Sequence, residues 1–437
     1  MLSDLLARFR ALQRNARLYL ISNAMQAPTA GAAVVLYTLY LNALGYSTKF
    51  IGIVTVVGAI GAALGIVIAS PLAHRAGYRA FLLWSNFIGG FSIAAQLIVP
   101  TPPVVLVTTL GVGISLALFL VINTPLLTTY STAEQRISLF GLNNALVFLA
   151  TIIGTLLGGF LPGWFLSAEV QSSAWMQALQ PLLVSGAKAQ AYELALLATG
   201  VIAVPSIIPV FMMREEPRKA TAATGSAGDD MLAPPLRARM GAWLRAVRVG
   251  AVGVAGRFAV AEGLVGFGAG IFFPYANLYF VNQLGVSTAY FGVLTTVYSV
   301  AIAVAALVAI PLARRWGTMR TGIAAQVASL PFLVAIGAFP VVVIASLAYL
   351  IRGFLMAVTT PPLQTYLMGA VPDKSRVNAS SAYNVSFQVG GALGAGVGGW
   401  LIALAGYQAS FFAAMPFYAL SAVLLIVWFG FGARRRD

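Results

Sequence analysis

Three ionisable side chains lie in long apolar runs of the sequence, where a charge is costly and is usually kept for binding or proton transfer. Glu262 lies in the seventh run, Arg352 near the middle of the tenth, and Glu193 at the start of the sixth. A carboxyl group withdrawn from water can exchange a proton near neutral pH, so Glu262 is a candidate proton carrier. Arg352 is a candidate anchor for an anionic substrate, or a fixed charge that modulates a nearby acid. Glu193 is expected at the membrane interface.

Each of the two central charges also has a structural interpretation. Helix carbonyls could satisfy Arg352, and Glu262 could pair with Arg257 on the adjoining turns. The helical rise of about 1.5 Å per residue separates Glu262 and Arg352 by roughly 10–15 Å in depth. We therefore expect no direct salt bridge between them.

The elements that position these residues are predicted to be transmembrane helices. The chain is 60% hydrophobic and 8% charged, with a mean hydropathy of +0.90, which excludes a soluble surface. The runs are continuous rather than alternating, so they predict bilayer-spanning helices of about 20 residues and not barrel strands. The sequence predicts an all-α polytopic membrane protein. Its twelve spans lie at roughly 17–42, 49–73, 79–100, 103–129, 137–161, 189–213, 254–282, 289–313, 319–339, 341–369, 377–405 and 408–432.

Composition also excludes several kinds of chemistry. With no Cys and one His, the chain offers no disulfide, thiol chemistry or His-rich metal site, and we expect neither metal nor cofactor. The net charge of +15 comes from short basic clusters between the apolar runs, which indicate topology rather than nucleic-acid binding. One His, no Cys and few acids near the membrane faces leave little with which to build the catalytic site of a polytopic enzyme. A channel is disfavoured because the sequence shows no ring of charges and no repeated filter loop.

The basic residues also predict orientation. Of the 26 Lys and Arg residues, 22 lie in the two terminal segments and the loops on the same side, which places both termini in the cytoplasm and the chain in the cytoplasmic (inner) membrane. No cleavable signal peptide is evident. We expect an amphipathic segment at 1–16 that binds anionic lipids, a six-helix bundle at 17–213, a cytoplasmic linker at 214–249, a second bundle at 250–432 and a basic tail at 433–437.

The chain contains a tandem repeat. Residues 44–79 return without a gap, 240 positions later, as residues 284–319, and fourteen of the thirty-six aligned positions are identical. Six spans per repeat give two halves of the same orientation, an arrangement that holds a ligand between the halves near the middle of the membrane. Two charged residues interrupt the repeat, namely Glu262 opposite Ser22 and Arg352 opposite Val112.

The loops after the second and eighth spans carry a related motif. Arg75, Gly77 and Arg79 match a Gly-x-x-x-Asp-Arg-x-Gly pattern followed by bases, and the second copy matches it loosely. With its twelve spans and long central linker, the chain resembles the major facilitator superfamily of secondary transporters over nearly its whole length. The acidic residue of the family motif is missing from both copies. Its loss puts in doubt the charge latch that the family forms with this acid. Acidic residues of the neighbouring loops could take its place. The predicted cytoplasmic gate residues are His74, Arg75, Gly77, Arg79, Glu134, Arg136, Arg314, Arg315, Asp373 and Arg376.

The fifth span resembles the antiporter signature of that family. It reads Gly154-Thr155-Leu156-Leu157-Gly158-Gly159, with Thr155 where the signature has Pro. Small residues four apart also let helices approach closely, so the motif is weak evidence for export.

The resemblance implies that spans 1, 4, 7 and 10 line a cavity. Their amides and phenols beside apolar walls suit a polar or amphipathic organic ligand. Span seven is predicted to bend at its glycines and proline during transport. The substrate-binding candidates are Asn23, Gln26, Tyr37, Asn123, Tyr275, Asn277, Tyr279, Arg352 and Gln364, and the hinge candidates are Gly266, Gly268, Gly270 and Pro274.

The function implied is secondary active transport of a small organic or amphiphilic molecule by rocker-switch alternating access. Protons are the candidate coupling ion, export is favoured over uptake, and we expect a monomer that is not an enzyme. Three alternatives stay open: proton symport of a sugar or organic anion into the cell, translocation of a lipid or lysolipid and, more distantly, a polytopic lipid-modifying enzyme.

Overall fold

The computed structural model describes residues 12–214 and 253–430, and this part of the chain is almost entirely helical. Ten stretches are long and apolar enough to cross a membrane. One of them, Asn378–Phe429, is broken at Gly406 into two spans, and the less apolar first helix completes a set of twelve. The predicted fold class is confirmed. The spans are α1 (Arg14–Ala43), α2 (residues 48–76), α3 (Gly77–Ile98), α4 (Pro102–Thr129), α5 (Ala133–Phe165), α6 (Ala187–Phe211), α7 (Val254–Gln283), α8 (Thr288–Trp316), α9 (Thr318–Ala338), α10 (Val342–Ala370), α11 (residues 376–405) and α12 (residues 407–429).

Three of the segments predicted from the sequence fall mostly outside the described residues. These are the amphipathic amino-terminal segment (1–16), the linker (214–249) and the basic tail (433–437). The helix α1 already begins at Arg14, inside the first of them.

Two of the helix breaks are repeat equivalents. Gly77 has a φ of 77° between α2 and α3, and Gly317 has a φ of 88° between α8 and α9. Glycine reaches this left-handed region without a steric penalty, whereas other residues do not. The glycine of the loop motif therefore ends one helix and starts the next.

The spacing of 240 residues seen in the sequence holds for whole helices. Residues 14–43 of α1 correspond to residues 254–283 of α7, which are the bounds of that span. The helix caps repeat as well, because Ser47 accepts from the Phe50 N–H and Ser287 from the Tyr290 N–H. Residues 240 apart in α1–α5 and α7–α11 can therefore be compared as equivalents.

The two halves share a core at one end of the bundle only. We call the end that holds Leu12 and Phe429 the terminal end, and the end with the α1–α2 and α7–α8 turns the distal end. At the distal end one apolar cluster includes residues of both halves, such as Leu36 and Phe280. At the terminal end each half has a separate cluster, around Tyr19 in one and around Phe258 in the other. The halves are thus joined distally and separate at the terminal end.

Two repeat-equivalent hydrogen bonds close the distal seam. The Thr48 hydroxyl donates to the Gly399 carbonyl at 2.8 Å, and the Thr288 hydroxyl donates to the Gly159 carbonyl at 2.8 Å. A Cβ on Gly292 would lie 2.9 Å from the Gly159 Cα, so only glycine lets α5 and α8 meet this closely. We call the two Thr–Gly hydrogen bonds the distal latches.

A third contact joins equivalent residues to each other. The Asn282 side-chain amide donates to the Asn42 side-chain oxygen at 2.8 Å, and the two residues are 240 positions apart. This pair therefore lies on the pseudo-twofold axis of the repeat. Within residues 12–214 and 253–430, every hydrogen bond between the halves lies at the distal end.

Candidate functional site

Arg352 is a buried cation held between aromatic rings. Its side chain is 5% exposed, and its guanidinium carbon lies 4.6 Å from the centroid of the Phe272 ring and 4.7 Å from that of Tyr418. Cation–π contacts of this kind stabilise a cation, most strongly where water is excluded. The Nε and Nη2 atoms are enclosed and have no hydrogen-bond partner. The site therefore holds two unused hydrogen-bond donors, which an anion would satisfy.

Further rings surround this cation. Tyr298 of α8 stacks on Tyr349 of α10, with centroids 4.8 Å apart. A Cβ on Gly353 would lie 1.9 Å from the Tyr298 ring, so glycine at this position lets the ring approach Arg352. We call Phe272, Tyr298, Tyr349 and Tyr418 the aromatic shell.

Glu262 lies beside the same shell. Glu262 is half-buried as a residue, and its carboxyl group interacts electrostatically with Tyr383 of α11. The ring of Tyr418 lies against the Arg352 guanidinium, and Tyr418 is also within electrostatic range of Glu262. Within the described part of the chain, Glu262 forms no salt bridge with Arg257 or Arg352, as expected for the second pair. Tyr418 therefore interacts with both an acid and a base that do not form a salt bridge with each other.

The N-terminal half lacks this arrangement. The positions equivalent to Phe272, Tyr298, Tyr349 and Arg352 hold small residues, and part of the space is empty. A cavity of about 140 Å³ lies between α1, α3, α4 and α6. It is lined by Thr29, Ala33, Tyr37, Ile93, Gln96, Leu97, Thr109, Val112 and Leu196. The small equivalents are Ala32, Gly58, Thr109 and Val112.

Four of the predicted substrate-binding residues lie towards the distal end and are bonded within the fold. The Tyr275 hydroxyl donates to the Ala395 carbonyl at 2.5 Å, and the Tyr279 hydroxyl donates to the Ile336 carbonyl at 2.7 Å. Asn277 crosses the seam, donating to the Val35 carbonyl and accepting from the Thr38 hydroxyl. Tyr37 donates to the Gln96 side-chain oxygen at 2.9 Å.

The other four uncharged candidates lie closer to the terminal end. Asn23 donates to the Asn143 side chain at 2.8 Å, and Asn123 accepts from the Tyr19 hydroxyl at 2.7 Å. Gln26 donates to the Ser22 hydroxyl at 3.3 Å, and Gln364 is half-buried. These four residues lie on the part of the bundle where the halves separate, and Arg352 lies in the aromatic shell.

The predicted gate residues are mostly solvent-facing. Asp373 and Arg376 form an exposed salt bridge of 2.9 Å, while Arg79 donates to the Phe211 carbonyl at 3.0 Å. The side chains of His74 and Arg75 lie outside the described part of the structure. The remaining charged members, Glu134, Arg136, Arg314 and Arg315, are exposed.

The glycines of α7 serve close packing against the neighbouring helices. A Cβ on Gly266 would lie 2.2 Å from the Phe387 carbonyl oxygen, and one on Gly270 would lie 2.1 Å from that of Gly391. The third glycine, Gly268, faces the Tyr418 ring. Backbone irregularity begins further along, in a 3-10 turn at Phe273–Tyr275 that contains Pro274. The predicted bend at these residues stays a prediction.

Comparison with known proteins identifies the family to which the fold belongs. The model of the Major Facilitator Superfamily matches residues 19–260 and 258–437. The nucleoside transporter NupG superposes with a TM-score of 0.71 at 14% identity, covering 97% of this chain and 100% of its own. An inward-facing, unoccupied bacterial homologue of the human lysosomal transporter Spinster gives 0.72 at 14% identity, covering 94% and 96%. The transporter FucP in its outward conformation gives 0.56 at 14% identity, covering 95% and 99%.

The chain therefore belongs to the Major Facilitator Superfamily and is a multi-pass membrane transporter. None of the curated proteins compared matches its sequence. The substrate and the direction of transport have to be argued from the site.

Sequence reasoning missed the residues that surround the two charges. Phe272, Tyr298 and Tyr349 could have been found by reading the repeat, because each large ring stands opposite a small residue in the first half. Tyr418 lies in α12, beyond the aligned part of the repeat, and no sequence signal places it over Arg352.

Proposed function

We propose that this transporter exports a small organic or amphiphilic molecule across the cytoplasmic membrane in exchange for protons, by rocker-switch alternating access. The observation that carries the proposal is the one-ended seam between the halves. Symmetric latches join the halves distally, whereas the terminal ends have separate cores. Two rigid halves that meet at one end can open there and close at the other.

The charge distribution supports an inward-facing state. If both termini are cytoplasmic, as the basic loops predict, the open end faces the cytoplasm. The better superposition on the inward-facing Spinster homologue than on outward-facing FucP is in keeping with this orientation. An exporter in this state would present its cavity to cytoplasmic substrate.

Glu262 is the residue that we propose carries the proton. Glu262 is a half-buried residue that interacts with Tyr383, and no salt bridge in the described part of the structure fixes its charge. A carboxyl group in this setting can gain and lose a proton between the two states, which is what coupling needs. Few other ionisable groups lie in the spans, which favours an amphiphilic substrate over a highly charged one.

Uptake of an organic anion is the second candidate, and one observation favours it. The unused N–H groups of Arg352 would each donate a hydrogen bond to an oxygen of a carboxylate or phosphate. In that case Glu262 would still carry the proton, but proton and substrate would move together.

The test uses purified transporter in proteoliposomes with an imposed pH gradient. Ligands are first found by a thermal-shift screen of amphiphilic compounds, sugars and organic anions. Wild type is expected to accumulate the ligand against its gradient only when protons flow the opposite way. Glu262→Gln should lose this uphill transport, by tenfold or more, and keep exchange of labelled for unlabelled ligand.

The matched control is Glu193→Gln, since Glu193 is a buried acid in α6 and accepts from the Val184 N–H near the distal end. It should behave as wild type. Uphill transport by Glu262→Gln at the wild-type rate would remove Glu262 as the carrier. Accumulation with protons flowing the same way would replace export with symport.

A further inference from the structure

The cavity of the N-terminal half occupies the place that a tyrosine ring fills in the C-terminal half. Tyr349 is the repeat equivalent of Thr109, and Tyr298, which stacks on it, is the equivalent of Gly58. The same neighbour relation holds in the N-terminal half, where a Cβ on Gly58 would lie 3.3 Å from the Thr109 methyl group. Residues that are in contact in one half are thus in contact in the other, and the first half lacks the rings.

The size of the cavity suits one six-membered ring. Its volume is about 140 Å³. Engineered apolar cavities of roughly 150 Å³ in other proteins bind benzene, because an empty apolar cavity lacks the dispersion contacts that a ring restores. Five of the lining side chains are aliphatic, namely Ala33, Ile93, Leu97, Val112 and Leu196.

One wall of the cavity is polar. The Tyr37 hydroxyl donates to the Gln96 side-chain oxygen at 2.9 Å and lies 3.4 Å from the Thr109 hydroxyl. Gln96 is 6% exposed, and within the described residues its side-chain N–H groups donate no hydrogen bond. A buried amide nitrogen in this position is a donor for one oxygen of a ligand.

We propose that this cavity is a binding site for the ring of a small neutral phenol, with the phenol oxygen at Gln96. The ring of the bound phenol would fill the space that the Tyr349 ring fills in the C-terminal half. The site is separate from Arg352 and Glu262, and its occupancy depends on neither the direction nor the coupling ion of transport.

The probe is p-cresol, which is the side chain of tyrosine, and toluene is its apolar analogue. Full-length protein in detergent is heated with and without each compound. At a tenfold excess over Kd, p-cresol should raise Tm by about 1.5 °C. Thr109→Tyr places the ring of the C-terminal half in the cavity and should abolish the rise. Gln96→Met should keep the response to toluene and weaken p-cresol binding to the level of toluene.

The matched control is Val107→Tyr, which adds the same ring to α4 on a surface that is 70% exposed. It should respond to p-cresol as wild type does, which separates cavity binding from partition into detergent. If Thr109→Tyr does not fold, Ala33→Leu fills the cavity from α1 and should abolish the rise instead. No rise in wild type would overturn the proposal, and so would an equal rise in the filled variants.

Discussion

In the C-terminal half a guanidinium group lies between two aromatic rings, whereas a cavity lies at the equivalent place in the N-terminal half. Four of the helices around these two centres, α1–α4, have equivalents 240 positions on in α7–α10, with bounds that agree to within one or two residues. The difference therefore lies mainly in the side chains. At four equivalent positions the C-terminal half has Phe272, Tyr298, Tyr349 and Arg352, whereas the N-terminal half has smaller residues. The two halves thus share a helix arrangement and differ in the side chains at their centres.

The distal seam shows the opposite behaviour. Thr48 and Thr288 are equivalent residues and make equivalent hydrogen bonds to Gly399 and Gly159. Movement of one half against the other needs matched contacts on both sides of the axis, whereas proton binding needs one site. The central claim of this account is that a symmetric gate is controlled by one acid in the C-terminal half.

The largest expected effect comes from exchanging residue types between position 352 and its repeat equivalent, position 112. Val112→Arg would bury an unpaired cation without aromatic rings around it, and should destabilise the protein by roughly 3–5 kcal/mol. Arg352→Met keeps the volume and removes the charge, and should leave stability unchanged or raise it by about 1–4 kcal/mol while weakening the binding of anionic ligands. Thermal unfolding and ligand titration measure both effects.

Val112→Met is the control for the change of size. If Arg352→Met lowers stability as much as Val112→Arg does, Arg352 is a structural residue and the contrast between the halves carries no function. Equal anion affinity with and without Arg352 would exclude it from the substrate site.

A smaller effect is expected at the distal latches. Thr48→Val and Thr288→Val each remove one hydrogen bond, worth about 1 kcal/mol, so each should raise the open population about fivefold. The two effects should be equal because the bonds are repeat equivalents. The chain has no Cys, so maleimide labelling of Leu39→Cys, a buried position in the shared distal core, reports opening directly. Strongly unequal labelling of the two variants would show that the seam is not a symmetric gate.

The twelve helices and the repeat could be predicted because both depend on patterns along the chain. Hydropathy locates the spans, and the glycines at 77 and 317 are visible as paired motif positions. The repeat also singled out Arg352, since Val112 stands opposite it. These features need no knowledge of how any helix is rotated.

The site could be predicted only in part, because helix rotation decides which side chains face the cavity. Tyr275, Tyr279 and Asn277 have the residue types of a polar binding site, yet their polar atoms bond within the fold. The span-seven glycines look like a hinge in sequence, and their contacts with α11 and α12 become visible only in three dimensions.

One measurement tests the central claim most directly. Spin labels at Ser138→Cys and Asn378→Cys, exposed equivalent positions near the terminal ends of α5 and α11, report the separation of the halves by double electron–electron resonance. In nanodiscs, the distance distribution of wild type and of Glu193→Gln should change between acidic and alkaline pH. The distance distribution of Glu262→Gln should be the same at both pH values. A pH response of Glu262→Gln equal to that of wild type would contradict the account.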